Sequence, residues 1–404
     1  MKFLDLLKSS DKDFKKNLGF FFLAYFLVLF NYPLIRASTT SLFFEAFGAK
    51  SSPSAWAWAV GFLSVSIYFC NKLQKKQSVQ FVFTCASLLS AAIFFAGNLS
   101  LLSENKMFAY LSFIWKEICI VIQIHLLLGY ANNFFKKTDF KVLVGIVGAI
   151  GSVGGVLGGL LTTYLSSHGG TALVLDIGTA FVILPVFFFL PTKRLFSKND
   201  DNKSPVASIN TPDLKKYVFY ICSMVALAQF IINIADFKFN LAFEMAIPTK
   251  DLRTAYLGNV YTFTNALTFV FQFLMLPFIL PRVTERNLHL FIPLSYLLCV
   301  IVFAGGSQVG VLPIAMVYIY FKAADYSFFS AGKEILYQPL ESVQKYGAKY
   351  LTDMLVYRSS KALIALILIY LQTSFILDMM MVGFILIWLV VVMKLFGLHR
   401  KLFD

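Results

Sequence analysis

Charge is what this 404-residue chain has least of: Asp, Glu, Lys and Arg together make up 14% of it, against 58% hydrophobic residues. Soluble domains carry about a quarter of their residues charged. A water-soluble enzyme or nucleic-acid-binding module is therefore excluded, in spite of a formal net charge of +14. Cysteine is also scarce. The five copies (Cys70, Cys85, Cys119, Cys222, Cys299) all lie in apolar runs and show no ligand spacing. They are small buried apolar residues, neither a disulfide framework nor a zinc centre. The chain has no Walker sequence, no paired Cys or His ligand set and no nucleophile elbow. Hydrolytic and redox chemistry thus have no carrier, and no cofactor or metal is expected. Met1–Lys16 is polar, and the apolar run after it is too long and lacks a small-residue cleavage site, so no cleavable signal peptide is expected.

What fills the chain is a succession of apolar runs of about 20 residues, the length that crosses a bilayer as a helix with every backbone polar group satisfied; the mean hydropathy is +0.74. Twelve spans are predicted, near 17–37, 53–71, 79–102, 108–133, 141–166, 170–191, 216–246, 255–280, 287–305, 309–332, 346–372 and 374–396. The fold class is an all-α polytopic membrane protein. Basic residues alternate between the intervening loops. One set holds Lys2, Lys8, Lys12, Lys15 and Lys16, then Lys72, Lys75 and Lys76, then Lys136, Lys137 and Lys141. It continues through Lys193, Arg194, Lys198, Lys203, Arg282, Arg286, Lys345 and Lys349 to Lys394, Arg400 and Lys401, whereas the other set has only Lys50, Lys106, Lys250 and Arg253. Lys and Arg accumulate on the cytoplasmic side, so both termini are expected there, in a multi-pass protein of the cytoplasmic (inner) membrane.

The longest polar interruption, Pro191–Asp213, divides the spans six and six. The expected domains are an N-terminal half at 1–192, a cytoplasmic linker at 193–213 and a C-terminal half at 214–404. This is the organisation of major facilitator transporters, in which two six-helix halves related by a pseudo-two-fold rock around a midplane site.

Ionisable groups at membrane depth cost roughly 2.5–3.5 kcal/mol each on insertion scales, so those present need a reason. Asn31 is followed five residues later by Arg36, and Asn233 five residues later by Lys238; span 4 carries Trp115–Lys116 and span 10 Phe321–Lys322. Spans 1, 4, 7 and 10 line the cavity of that architecture, so each would bring one cation to an anionic substrate. Arg36, Lys116, Glu117, Lys238, Lys322 and Asp325 are the expected substrate-binding residues, with Lys322 and Asp325 an i, i+3 pair. Structural ion pairing explains any single one of these pairs equally well. Asp236, Glu244, Lys333, Glu334, Asp353 and Arg358 are expected as gating or structural charge partners. His125 is a packing residue or a proton relay. Asp176 and Asp378 are expected near the outer surface, capping helices or facing water. Pro33 frees a backbone carbonyl in span 1, as a hinge or a tolerated bend. Gly148, Gly151, Gly154, Gly155, Gly158 and Gly159 in span 5 are spaced for close helix packing, expected between the two halves.

Several stretches resemble the nucleotide transporter family, the ATP/ADP exchangers of plastids and intracellular bacteria and their free-living relatives. LFNYPLIR (Leu29–Arg36) is similar to the first-span signature, IWKE with GYANN (Ile114–Glu117, Gly129–Asn133) to the fourth, and ADFKFNLAFE (Ala235–Glu244) to the seventh. DYSFFSAGKEILYQPLE followed by YGAKYLTDMLVYR is similar to the tenth-to-eleventh span region. The resemblance implies a major facilitator fold and exchange of phosphorylated compounds, with roles for Arg36, Glu117, Lys238, Lys322, Lys333 and Glu334. The chain departs from it after Arg36, where the exchangers carry an acidic residue and then a lysine; here ASTT follows, with Thr39 near the lysine's place.

The expected function is secondary transport of an organic anion, a nucleotide or other phosphorylated metabolite, with exchange favoured over proton symport. The alternatives are a proton-coupled drug or metabolite carrier of the same superfamily and a non-transporting membrane component that keeps the fold. The expected partners are the lipid bilayer and a small anionic solute, with no nucleic acid, and the chain is expected to be a monomer.

Overall fold

The computed structural model describes residues 10–99, 105–135, 137–195, 209, 211–304 and 310–403. Most of the expected linker, with Lys198 and Lys203, lies outside the described residues, as do Lys2, Lys8 and Lys136. Among the described residues the chain is helical throughout, with no strand.

Twelve helices follow one another among the described residues. They are α1 (Lys12–Phe47), α2 (Ser52–Gln74), α3 (Val79–Leu99), α4 (Met107–Phe134), α5 and α6 within Lys137–Phe189, and α7 (Pro212–Ala246). The series continues with α8 (Lys250–Ile279), α9 (Glu285–Ala304), α10 (311–336), α11 (342–370) and α12 (Ser374–Phe403). Helices α5 and α6 are separated by the non-helical backbone of Gly170, whose φ of 72° lies in the left-handed region that glycine tolerates. Asp11 starts α1 by accepting a 2.7 Å hydrogen bond from the Phe14 amide, the usual side-chain cap for an orphan helix donor.

Nine helical stretches among the described residues are long and apolar enough to cross a membrane, α5 and α6 counting as one; α10 and α11 are not among them. Charges thread both: Lys322, Asp325, Lys333 and Glu334 in α10, and Lys345, Lys349, Asp353, Arg358 and Lys361 in α11. A π-helical turn at Asp325–Phe329 interrupts α10, and another at Tyr350–Val356 interrupts α11, leaving α-helical pieces of at most 14 residues. A third lies in α8 at Val270–Met275. Such turns carry one residue beyond α-helical register and recur at functional sites.

The chain forms two compact units. Unit 1 comprises Met1–Gly48, Gly61–Asp200 and Ile247–Ala266; unit 2 comprises Ala49–Val60, Asp201–Ala246 and Leu267–Asp404. The start of α2 falls in unit 2 and the start of α8 in unit 1.

In unit 1 the glycines of α5 seat two helices. A Cβ on Gly154 would stand 2.9 Å from the Phe26 carbonyl oxygen, and one on Gly158 only 1.9 Å from that of Phe30, so α1 lies directly against the α5 backbone. Gly155 meets Asn265, and Gly159 meets Thr262 and the Gly258 carbonyl, both on α8. One glycine run thus has two faces, one for α1 and one for the beginning of α8, a helix from the second half of the sequence. At its end the same seam is polar. The Thr171 amide donates to Asp251 Oδ1 at 2.6 Å, and Ser166 Oγ donates to the Asp251 carbonyl at 2.7 Å.

In unit 2 the core is aromatic. Tyr296 stacks on Phe321 with centroids 4.0 Å apart and donates its hydroxyl to the Phe321 carbonyl at 2.9 Å. Trp388 of α12 packs edge-on against Tyr296 and Phe329, an arrangement favoured by ring quadrupoles. These rings fix α9, α10 and α12 around the π-helical turn of α10.

Candidate functional site

Each unit carries its own charged cluster. In unit 1, Tyr32 and Arg36 are half-buried while residues 33–35 and 37–44 are all buried, so one turn of α1 presents this pair on its accessible face. The Arg36 guanidinium lies 4.9 Å from the ring centroid of Tyr261 on α8 and 5.6 Å from that of Tyr32. Flanking rings hold the planar cation by cation–π attraction and keep its fork of donors oriented. Lys116 sits behind it, almost fully buried. Its ammonium lies 3.4 Å from the Phe113 ring centroid and donates to Thr40 Oγ1 at 2.6 Å; that hydroxyl donates in turn to the Arg36 carbonyl at 2.6 Å. The structure therefore brings Arg36 and Lys116 together through Thr40, a residue the sequence reading passed over. Glu117 is half-buried on α4 next to Lys116. Thr39, at the place of the exchangers' lysine, is fully buried and donates to the Ile35 carbonyl at 2.6 Å; it belongs to the packing of α1.

In unit 2, Lys322 Nζ of α10 lies 3.5 Å from Asp236 Oδ2 of α7. Asn240 donates to the other oxygen of Asp236 at 3.2 Å, and Tyr318, one turn before Lys322, has its ring 5.7 Å from the ammonium. Tyr318 is itself stacked on Phe239 at 4.7 Å. Lys322 thus has a partner beyond the expected Asp325, which stays within electrostatic reach of it. Lys322 reaches across to α7, whereas Asp325 opens the π-helical turn and, among the described residues, makes no ion pair.

Lys238, expected at the substrate site, also has a carboxylate partner. It is paired with Asp378 of α12. Lys238 is two residues from Asp236, about 200° around the helix, so it and Lys322 engage opposite faces of α7. Asp378, expected to cap a helix or face water, is buried. Arg36 and Lys238 are 202 positions apart, as are Asn31 and Asn233, and so are Asp176 and Asp378. The two halves do not use that aspartate alike, for Asp176 is exposed and accepts from the Asn98 amide.

The charges at the end of α10 form a lock with α11. Lys333 pairs with Asp353 at 2.5 Å and Glu334 with Lys349 at 2.5 Å, while the Tyr337 and Thr352 hydroxyls are hydrogen-bonded at 2.5 Å between them. Arg358 is half-buried and makes no ion pair among the described residues. Glu244 accepts from the Ala49 amide at 2.9 Å, holding the short turn before α2. The Glu334–Lys349 pair is solvated and worth at most about 1 kcal/mol. Asp353→Ala strands the less exposed Lys333, so its melting temperature in detergent is expected to fall by more than that of Glu334→Ala. Equal shifts would mean that Lys333–Asp353 contributes no more than a surface pair.

His125 is half-buried on α4. Its neighbour Gln123 is a packing residue, donating to Ser87 Oγ at 3.0 Å and to the Val182 carbonyl at 3.3 Å.

The helices and their buried charges define an all-α polytopic membrane protein. Its fold is that of the major facilitator transporters, and solved structures place it there. A mutant of the nucleoside transporter NupG matches with a TM-score of 0.67 at 17% identity, over 94% of this chain and 99% of that one. A bacterial homologue of the iron transporter ferroportin in an inward-facing state matches with a TM-score of 0.66 at 13% identity, over 95% and 99%. A POT family transporter in complex with 5-aminolevulinic acid matches with a TM-score of 0.67 at 10% identity, over 96% of both chains. At such identities the likeness is one of fold. No protein-family model and no curated protein matches the sequence.

Proposed function

We propose that the chain is a secondary transporter of the cytoplasmic membrane, both termini in the cytoplasm, that moves an organic anion by alternating access. The substrate class is a nucleotide or other phosphorylated metabolite, and exchange is the mode. The observation that carries this reading is the Arg36 cluster: a half-exposed guanidinium between two tyrosine rings, backed by a buried Lys116. A planar fork matches phosphate oxygens bidentately, and flanking rings suit a planar base. The second cluster, Lys322 with Asp236 and Asn240, supports it, because a lysine 3.5 Å from its carboxylate can exchange that partner for a substrate anion. The resemblance of the motifs around Arg36 and Lys333–Glu334 to the nucleotide exchangers points the same way, as does a fold shared with transporters of nucleosides and other small solutes.

Purified protein in proteoliposomes preloaded with unlabelled AMP, ADP, ATP or glucose 6-phosphate is expected to take up the labelled form of at least one of them by counterflow. Absence of counterflow for every phosphorylated solute, from protein that is monodisperse and melts cooperatively, would overturn the reading.

A further inference from the structure

We propose that the groove between α7 and α11 in unit 2 is a binding site for an anionic glycerophospholipid, one acyl chain lying along α7 and the phosphate held by Lys215 and Lys216. The site is apart from the charged clusters and requires no transported solute. The groove has a volume of about 600 Å³ and is walled by Val218, Cys222, Ser223 and Ala226 of α7 and by Leu351 and Val356 of α11. It is open because the two helices do not close along this stretch. In unit 1 the corresponding pair, α1 and α5, meets backbone to backbone through Gly154 and Gly158. Helix α11, the fifth of its half as α5 is of the first, has only Gly347. Leu351 and Val356 stand instead in its π-helical turn, and their side chains keep it off the α7 backbone. Helix α7 is held in unit 2 by its other stripe, where Tyr217, Ile221, Met224 and Ala228 are fully buried.

The groove is shaped and charged for a lipid, not for a polar metabolite. Ser223 Oγ donates to the Phe219 carbonyl at 2.9 Å, so its donor is spent within α7, and the rest of the wall is apolar apart from the Cys222 thiol. One charged side chain borders it, Lys215, and no acidic one among the described residues. Lys215 lies a turn before Val218 and Phe219 on the same stripe, exposed like its neighbour Lys216. Neither lysine makes an ion pair among the described residues, and the nearby Asp213 is engaged by Lys401 at 2.9 Å. From Lys215 to Ala226 is eleven residues, roughly 16 Å of helix. Half of a ~30 Å hydrocarbon core is roughly 15 Å, so the groove spans one leaflet, the reach of one acyl chain. The lysines stand at its interfacial end with Tyr346 and Tyr350, which are exposed and one turn apart near the start of α11; such rings anchor at headgroup level. That end is the one proposed to face the cytoplasm, whose leaflet carries the anionic lipids that attract Lys.

The test uses the full chain in phosphatidylcholine vesicles that contain a trace of photoactivatable lipid, either phosphatidylglycerol or phosphatidylcholine with a diazirine in one acyl chain. After photolysis, peptide mass mapping is expected to find phosphatidylglycerol adducts on 218–226 and 351–356, several-fold above those of the phosphatidylcholine probe. Each lysine changes the local attraction for an anionic lipid roughly fivefold, so the excess should disappear in Lys215→Gln/Lys216→Gln. Both lysines are exposed, and that variant keeps the wild-type core. Ser223→Trp fills the groove and leaves the lysines in place; as a monodisperse protein it should lose the adducts on both helices. Equal labelling by the two probes means a neutral hydrocarbon slot and overturns the site. So does an excess that survives the loss of both lysines, or labelling of α7 and α11 that is unchanged in Ser223→Trp.

Discussion

Lys322→Ala is expected to lose anion binding and fold stability together, by amounts that separate its two roles. The ammonium sits 3.5 Å from Asp236, and both side chains are nearly buried. Removing one partner of a buried pair leaves an uncompensated charge, at a cost of about 3–5 kcal/mol. Removing a cation that contacts a desolvated substrate anion costs about 2–5 kcal/mol of binding, roughly 30-fold to several-thousand-fold in Kd. Combining Lys322→Ala with Asp236→Asn removes the stranded carboxylate. The melting temperature should then recover most of its loss, whereas affinity in equilibrium binding should not. If affinity in the double variant equals that of the wild type, Lys322 is a structural residue and does not touch substrate.

Gly158→Leu is expected to abolish the folded protein. The Cβ would lie 1.9 Å from the Phe30 carbonyl oxygen, a backbone atom of α1 that cannot rotate away as a side chain can. Overpacking by a few methylenes costs about 1–3 kcal/mol where side chains can adjust; here two helix axes must separate, and the other glycine contacts of the same seam go with them. Against a total stability of about 5–15 kcal/mol that is decisive. Gly145→Leu is the control, since nothing lies within 4 Å of a Cβ there. Fluorescence-detected gel filtration should show a monodisperse peak for Gly145→Leu and aggregate for Gly158→Leu. A normal peak for Gly158→Leu would mean that α1 and α5 are not held backbone to backbone.

The order and number of the helices were legible because a bilayer imposes one length on every span and punishes every charge within it. The same penalty picked out Arg36, Lys116, Lys238 and Lys322. The partners of these cations were harder to see. Sequence spacing offers Lys322 the carboxylate three residues along its own helix, but a four-carbon stem reaches the neighbouring helix as easily, and Asp236 of α7 lies within 3.5 Å of it. Asp378 was misplaced because distance from a span end says nothing about which neighbour covers a side chain; the 202-residue repeat offers no guide either, since the equivalent Asp176 is exposed and bonded to Asn98. The glycines of α5 were recognised as a packing surface, but spacing alone could not show that one run has two faces, with Gly154 and Gly158 towards α1 and Gly155 and Gly159 towards α8. Thr40, Tyr261, Tyr318 and Asn240 carried no signal at all, because neutral polar and aromatic residues are ordinary in spans.

The π-helical turn of α10 has a consequence for how that helix is read along its length. One added residue advances the helix by about 100°, so the segment after Phe329 is out of phase with the segment before Asp325, as two halves of a screw thread would be across a dislocation. Lys322 obeys the first phase and faces α7; Lys333 and Glu334 obey the second and face α11. A single helix therefore serves two neighbours that no continuous α-helical stripe would address. The dislocation also lets the charges on either side of it change independently, without either cluster losing its aim.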